Sequence, residues 1–184
     1  MQDLWLLKRH TSSDPRDGLP NLIEAQASTI QKWHALDGSM CYLYASGNTR
    51  PSHSVAGSEA DWLRLRCVQE LPGASFGHVV TKHYVVETDV LPEFEEDLNA
   101  WYAQEHLPGL ASVPGTVRAT RYVDATGSPK FYACYDLVSA DTLGSPAWLA
   151  VRATPWSSRV RPAFRNTRRT MFGKTPPDRS DPFL

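Results

Sequence analysis

The most regular pattern of apolar and polar positions in the chain begins at Leu91. Phe94, Leu98 and Trp101 recur at the i, i+4 and i+7 spacing of one helix face, while acidic residues fill the first turns. Pro108 disfavours helical geometry in the residue before it, so the helix is expected to end one or two residues earlier. The pattern predicts an amphipathic helix whose apolar stripe packs on a sheet.

Short stretches rich in β-branched and aromatic residues predict strands on both sides of this helix. They are Leu4–His10, Met40–Ser46, Asp61–Leu71, His78–Thr88, Thr116–Ala125, Lys130–Val138 and Pro162–Phe172. An apolar stripe at helical spacing predicts another helix within Asn21–Leu36, and a third helix is expected at Ala147–Ala153. The predicted order is β-α-β-β, then β-α-β-β-α-β, and the second run is that of a ferredoxin-like fold.

This order divides the chain into two halves. Residues 77–172 hold the complete ferredoxin-like pattern, and residues 1–76 hold a degenerate copy in which the second helix is missing. Residues 173–184 are proline-rich and are expected to form a flexible tail, and the turn-rich residues 47–59 are expected to be mobile. The predicted fold class is α+β, with antiparallel sheets that carry helices on one face.

Composition narrows the classes of protein and partner. The 184 residues are 41% hydrophobic and carry a formal net charge of -1, so the chain can bury a core and has no global attraction to nucleic acid. The 3 cysteines lack a CxxC spacing, which argues against a disulfide framework and a zinc site. No stretch is apolar enough to span a membrane, and we expect a cytoplasmic protein without a membrane partner.

A basic segment near the C-terminus invites a nucleic-acid interpretation. Five arginines lie between Arg159 and Arg169. The acidic residues of the central helix, from Glu93 to Asp97, offer them an internal partner, and no nucleic-acid-binding motif accompanies them. We therefore expect no nucleic-acid partner.

Several motifs in order along the second half resemble EthD-like proteins of the dimeric α+β barrel superfamily. They are WYAQEHLPGLASVPG, the strands ATRYV and KFYACYDL, and then SPAWLA and TPW, all within Val80–Phe172. The resemblance implies that two ferredoxin-like sheets pair to enclose a barrel, and that a ligand lies in the cleft between sheet and helices. A chain with two such halves can close the barrel alone, whereas a single half needs a partner in a homodimer.

His106 is the first candidate for chemistry. An imidazole can exchange protons near neutral pH, and at the end of the central helix it would line the cleft as the catalytic residue. Tyr102, one turn earlier, would line the same cleft with its polar end free. The alternative is that His106 only caps the helix and that Tyr102 belongs to the core.

His83 and Glu87 are the second pair of candidates. They lie four residues apart in a strand and therefore share a face. Such a pair could orient the imidazole toward a ligand or contribute to a metal site. Two groups fall short of the three or four ligands that zinc requires, so no metal is expected.

Arg118, Arg121 and Tyr122 lie on the strand that follows the central helix. The two arginines point to opposite faces, and Tyr122 shares a face with Arg118. The arginine on the cleft side would suit a carboxylate or enolate ligand. It could equally pair with Glu87 or Asp136, and the sequence leaves both interpretations open.

Two classes of function remain. The first is an enzyme without a cofactor that acts on a small apolar or aromatic carbonyl compound by proton transfer, decarboxylation or oxygenation. The second is a non-catalytic accessory protein that binds such a ligand. Fold analogy alone does not separate them.

Overall fold

The computed structural model describes residues 2–10, 30–47, 49–51, 54–55, 58–59 and 61–174. Its strands are β1 Leu4–His10, β2 Ile30–Ala35, β3 Met40–Ser46, β4 Ser54–Val55, β5 Ser58–Glu59, β6 Leu63–Pro72, β7 Lys82–Val90, β8 Thr116–Val123, β9 Phe131–Leu137 and β10 Phe164–Gly173. All seven predicted strands are present, and their bounds differ from the predicted ones by at most four residues. Residues 175–184 of the predicted tail, and residues 48, 52–53 and 56–57 of the predicted mobile loop, lie outside the described residues.

Eight strands close one antiparallel barrel in the order β1-β3-β2-β10-β7-β9-β8-β6. The barrel strands of the first half are ordered β6-β1-β3-β2 and those of the second half β10-β7-β9-β8, so both halves have a fourth-first-third-second order. Pairing of β2 with β10 and of β6 with β8 joins the two halves. The sheet therefore closes within a single chain.

The helix predicted within Asn21–Leu36 is wrong where the structure can test it. Ile30–Ala35 form strand β2, and residues 21–29 lie outside the described residues. Trp33 and Ala35 are buried with a half-buried residue between them, the period-two pattern of a strand. Hydrogen bonding to β3 on one side and β10 on the other outweighs the helical spacing.

The central helix continues past the predicted stop. It comprises a 3₁₀ turn Pro92–Phe94, helix α1 Glu95–Trp101, a π-helical turn Tyr102–His106 and helix α2 Leu107–Ala111. Ending the helix before Pro108 is therefore a wrong prediction.

The π-helical turn explains how the helix passes through Pro108. Within it each N–H reaches five residues back, as the N–H of Leu107 does to the carbonyl of Tyr102. The carbonyl of Ala103 would then fall to Pro108, which has no N–H to donate. The side-chain amide of Gln69 donates to that carbonyl instead, at 3.2 Å.

Short helices complete the second half. They are the 3₁₀ turn Ala140–Gly144, α3 Pro146–Arg152, α4 Pro155–Val160 and the 3₁₀ turn Arg161–Ala163. The side chains of Ser145 and Thr154 accept hydrogen bonds from the first-turn N–H groups of α3 and α4 and so fix where each begins. Helix α3 lies where a helix was predicted, whereas α4 was not predicted.

Apolar side chains pack on both faces of the second-half sheet. The outer layer packs the helices on the sheet around Trp101, Tyr135 and Trp148. The inner layer fills the barrel with side chains from both halves, among them Tyr42 and Phe172. Both faces of this sheet are therefore buried. No helix in the described residues is long and apolar enough to cross a membrane.

Candidate functional site

One end of the barrel contains a cavity of about 350 Å³, which we call the barrel-end cavity. Fourteen residues line it, among them Trp33, Tyr44, His83, Arg118, Tyr122 and Asp136. Its volume lies within the range of about 300 to 1,000 Å³ that small-molecule sites occupy. A second space of about 330 Å³ shares Trp33, Arg118 and Asp136 with it. This end of the barrel therefore has room for a ligand.

A chain of hydrogen bonds crosses the barrel-end cavity from one half of the protein to the other. Arg118 donates to Oδ2 of Asp136 through Nε at 3.0 Å and Nη2 at 2.8 Å. The other carboxylate oxygen lies 2.8 Å from Nδ1 of His83, whose Nε2 lies 3.1 Å from the hydroxyl of Tyr44. Strands β8, β9 and β7 supply the first three groups, and β3 supplies the tyrosine.

The charge states of these side chains determine which group donates and which accepts in each hydrogen bond. Burial raises the pKa of Asp136, but hydrogen bonds from His83 and Arg118 outweigh burial and hold that pKa below its ordinary value. Burial raises the pKa of Tyr44 well above its usual range, so the phenol keeps its proton. An ionised Asp136 only accepts, so Nδ1 of His83 donates to it, and in the neutral imidazole Nε2 is then the acceptor for the hydroxyl of Tyr44.

Aromatic side chains support the imidazole and form the cavity walls. The ring of Trp33 stacks on His83, with 5.1 Å between centroids and 26° between planes. The ring of Tyr44 meets the imidazole edge-on at 5.3 Å. These contacts hold His83 in one orientation, and its side chain is only 7% exposed.

Glu87 lies in the barrel interior on the same strand as His83 but has other partners. Its Oε1 accepts from the hydroxyl of Tyr42 at 2.6 Å and lies 2.9 Å from Nζ of Lys8. Lys8 also donates to the hydroxyl of Tyr132 at 3.0 Å. The expected orienting pair of His83 with Glu87 is therefore wrong, because Asp136 holds the imidazole.

Arg121 lies on the opposite face of β8, beneath the central helix. Its Nη2 donates to Oδ1 of Asn99 at 2.7 Å, and its guanidinium lies 4.6 Å from the ring centroid of Tyr102. Arg118, Thr120 and Tyr122 are thus the residues of β8 that line the barrel-end cavity. The pairing of Arg118 with Asp136 is one of the two interpretations that the sequence left open.

His106 and Tyr102 line a different space, which we call the helix–sheet cleft. The cleft lies between α1, α3 and the outer face of the sheet, and its cavity measures only about 30 Å³. The His106 ring stacks on Trp101 at 4.0 Å, and Tyr102 packs edge-on against it at 5.4 Å. The chain's own aromatic rings fill the place where the resemblance implies a ligand.

The environment of His106 differs from the predicted one. Burial, and then the charges of Arg161 and Arg152, lower its pKa to about 3, so the expected titration near neutral pH is wrong. The helix continues for five residues beyond it, so it does not cap a helix end either. Its Nδ1 is buried and has no hydrogen-bond partner among the described residues.

Three arginines of the basic segment lie beside the helices in two different settings. Arg159 makes the expected pair with the acidic helix, through Nε to Oδ2 and Nη2 to Oδ1 of Asp97, both at 3.0 Å. Arg161 and Arg169 instead line the helix–sheet cleft together with Arg152 of α3.

In the described ranges, no group of three or more His, Cys, Asp or Glu side chains is placed to hold a metal ion.

Sequence reasoning missed the contribution of the first half to the barrel-end cavity. Trp33 was assigned to a helix, and Tyr44 was read only as part of a strand. The alternation in Met40–Ser46 places Tyr42 and Tyr44 on one face, and this was the available signal. Which side chains that face would meet depends on the pairing of the halves, which the sequence does not encode locally.

No protein-family model matches the sequence, and no curated protein matches it. Solved structures share the fold. A monooxygenase-like protein from Listeria innocua has a TM-score of 0.58 and 12% identity, covering 95% of this chain and 95% of its own. A heme-degrading enzyme from Listeria monocytogenes has a TM-score of 0.60 and 9% identity, covering 95% and 100%. An anthrone oxidase-like protein has a TM-score of 0.57 and 12% identity, covering 95% and 92%. These likenesses show a ferredoxin-like dimeric α+β barrel fold.

Proposed function

We propose that this protein binds a small aromatic carbonyl compound in the barrel-end cavity and moves a proton on it. The observation that carries the proposal is the imidazole of His83, held between the carboxylate of Asp136 and the hydroxyl of Tyr44 in a cavity of about 350 Å³. A carboxylate that fixes the tautomer of an imidazole and stabilises its charged form is a recurrent arrangement in acid–base catalysis.

The proton step needs only groups of this chain. The ligand loses a proton from the carbon beside its carbonyl to the oxygen of Tyr44, while the phenol proton passes to Nε2 of His83. The products are an enolate and an imidazolium, and the charge of Asp136 stabilises the imidazolium. Two of the similar structures are named for oxidation of organic compounds, and enolate formation is a step that prepares such compounds for oxidation.

The charges around the cavity favour a neutral ligand over a carboxylate. Asp3, Glu70 and Asp136 line the cavity beside the single guanidinium of Arg118. Asp136 takes two hydrogen bonds from that guanidinium, and Glu70 lies 3.5 Å from its Nη1. Arg118 is therefore neutralised by the protein and has little charge left for an anionic ligand.

The same neutralisation supports the alternative of a non-catalytic binding protein. An enolate is stabilised by a nearby cation, but the guanidinium of Arg118 is already paired with the carboxylate of Asp136. If Tyr44 alone cannot stabilise the developing charge, the cavity binds its ligand without turning it over. The two candidates agree on the place of binding and differ in proton transfer.

A heme does not fit the helix–sheet cleft of this chain. Among the described residues that line this cleft, His106 is the histidine that could serve as an axial ligand, and its Nδ1 is unpartnered. The cavity beside it measures about 30 Å³, which holds one or two water molecules and not a porphyrin. No step of the proposed reaction uses a cofactor.

The shared strand order supports a repeat interpretation of the chain. We propose that residues 1–76 and 77–172 are degenerate copies of one ferredoxin-like unit of the EthD-like type. Each copy supplies four barrel strands, and the strand that is second in one copy pairs with the fourth of the other. The barrel-end cavity then lies between the copies, with Tyr44 from one and His83 from the other.

The test uses 1-indanone, a neutral aromatic ketone with exchangeable hydrogens beside its carbonyl. NMR in deuterated water follows their loss with and without protein, and calorimetry measures binding. Wild type is expected to bind and to accelerate exchange, Tyr44→Phe and His83→Gln to bind without acceleration, and Tyr84→Phe to behave as wild type because Tyr84 lies on the outer face. Binding without acceleration by wild type would select the non-catalytic alternative, and absence of binding would refute the proposal.

A further inference from the structure

The helix–sheet cleft contains a cluster of arginines that the proposed function does not use. Arg152 ends helix α3, Arg161 follows helix α4, and Arg169 lies on strand β10. All three line the cleft together with His106. Three separate elements thus bring positive charge to one place on the outer face of the barrel.

No acidic side chain in the described residues pairs with this cluster. The carboxylate of Asp97 is bound by Arg159 and by Nε1 of Trp156 at 2.8 Å. The carboxylate of Glu105 accepts from Thr154 at 2.6 Å and from Trp101 at 3.2 Å. The nearest acids of the central helix are therefore occupied, and the described ion pairs include none with Arg152, Arg161 or Arg169.

The arginines are close enough to repel one another. Burial and the charges of Arg152 and Arg169 lower the pKa of Arg161. Arg161 and Arg152 likewise act on the neighbouring ring of His106. Like charges gathered without a counter-charge raise the free energy of the folded state, and a bound anion would relieve this cost.

A buried polar atom provides a second, independent observation. The side chain of His106 is 7% exposed, it lines the cleft, and its Nδ1 has no hydrogen-bond partner among the described residues. Buried nitrogen atoms of this kind normally have a partner, so a missing partner points to a bound water or ligand.

We propose that Arg152, Arg161 and Arg169 form a binding site for a phosphate group at the mouth of the cleft, with the unpartnered Nδ1 of His106 buried behind them. Three guanidinium groups supply planar pairs of hydrogen-bond donors. Their combined positive charge suits a ligand with two negative charges better than it suits a single carboxylate. The anion sits at the mouth of the cleft between the long arginine side chains, because the cavity behind them measures only about 30 Å³. The site lies across the sheet from the barrel-end cavity.

Calorimetric titration with inorganic phosphate, at an ionic strength held constant with sodium chloride, tests this site. Arg161→Gln and Arg152→Gln are expected to weaken phosphate binding about tenfold or more, since each removes a charge-assisted hydrogen bond. Arg165→Gln is the matched control, because it removes the same charge nearby but Nη1 of Arg165 donates to the carbonyls of Pro162 and Phe164. It should leave the affinity within about twofold of wild type.

Thermal unfolding without phosphate shows whether a variant has lost affinity only because it folds poorly. Arg161→Gln should then be at least as stable as wild type, because the substitution relieves repulsion. Phenyl phosphate as a second ligand distinguishes a free ion from the phosphate of a larger molecule: equal affinity indicates the free ion, and tighter binding indicates an ester, and both support the site. Phosphate binding no tighter than chloride binding, or an equal loss in Arg165→Gln, would overturn the proposal.

Discussion

His83 and His106 lie on opposite faces of the same sheet and meet opposite electrostatic environments. His83 has a carboxylate on one nitrogen and a hydroxyl on the other, so its imidazolium form has a counter-charge beside it. His106 has aromatic rings on both sides and guanidinium groups as its charged neighbours. A carboxylate therefore faces the first ring, whereas burial and guanidinium charges oppose a proton on the second.

His106 should make the folded state lose stability in mild acid. Its folded pKa is about 3 against an ordinary value of 6.5, chiefly because of burial. Between these values the unfolded chain binds a proton that the folded chain does not. The contribution of the neutral His106 to the free energy of unfolding is therefore fully present above pH 6.5. It is lost as pH falls toward 3, at up to about 1.4 kcal/mol per pH unit.

Urea unfolding at several pH values between about 7 and about 4 measures this contribution. His106→Gln keeps a polar side chain of similar reach and removes the titration. The difference in free energy of unfolding between wild type and His106→Gln should shrink as the pH falls. A difference that stays constant over this range would show that the folded chain protonates His106 readily.

At the residue scale the sequence identified most of the chemistry and misplaced part of it. The shared face of Arg118 and Tyr122 followed from strand periodicity, and both line the barrel-end cavity. The pairing of His83 with Asp136 joins residues 53 positions apart, and it depends on a strand register that periodicity does not fix. The burial that lowers the pKa of His106 likewise comes from elements distant in sequence.

At the scale of secondary structure, the turn from the central helix into β8 depends on Gly115. Its φ is +96°, a value that side chains with a Cβ rarely adopt, and a Cβ there would overlap the side chain of Thr142. The backbone N–H of Gly115 donates to the hydroxyl of Ser75 at 2.9 Å. The turn thus fixes the start of the strand that carries Arg118.

Gly115→Ala should lower the free energy of unfolding by more than about 1 kcal/mol, because strain and overlap act together. Gly144→Ala provides the control, since a Cβ at that glycine meets no atom within 4 Å and its φ is not positive. It should change stability by less than about 0.5 kcal/mol. Denaturant unfolding of both variants measures the two effects, and equal small changes would mean that the turn tolerates a side chain.

Element types were predictable where local pattern and tertiary pairing agree. Strands β1 and β3 have the predicted bounds because each is a short run of apolar and aromatic residues next to turn formers. Strand β2 was mistaken for helix because Ile30 and Trp33 also fit a helical stripe, and only pairing with two neighbouring strands decides between them. The continuation through Pro108 depends on Gln69, which a local pattern cannot include.

At the scale of the whole molecule, closure of the barrel determines how the protein associates. Each half places an edge strand against the other half, so no barrel strand is left with an unpaired edge. The homodimer that a single half would need is not required for the sheet. From the sequence we could state only that two halves would close the barrel within one chain and that a single half would need a partner. Which of these holds depends on how the halves pair, which is a long-range property.

The chain should therefore be a monomer in solution. Light scattering coupled to size-exclusion chromatography should give a mass near 20.6 kDa over a wide range of protein concentration. Twice that mass at all concentrations would show that another surface joins two copies.

The place of the ligand is the central claim, and a crystal structure of the protein soaked with 1-indanone tests it most directly. The two spaces it could enter lie on opposite faces of the second-half sheet. We expect density for the ketone in the barrel-end cavity, with the carbon beside its carbonyl next to the hydroxyl oxygen of Tyr44. Density beside His106 in the helix–sheet cleft, with the barrel-end cavity unchanged, would contradict the account.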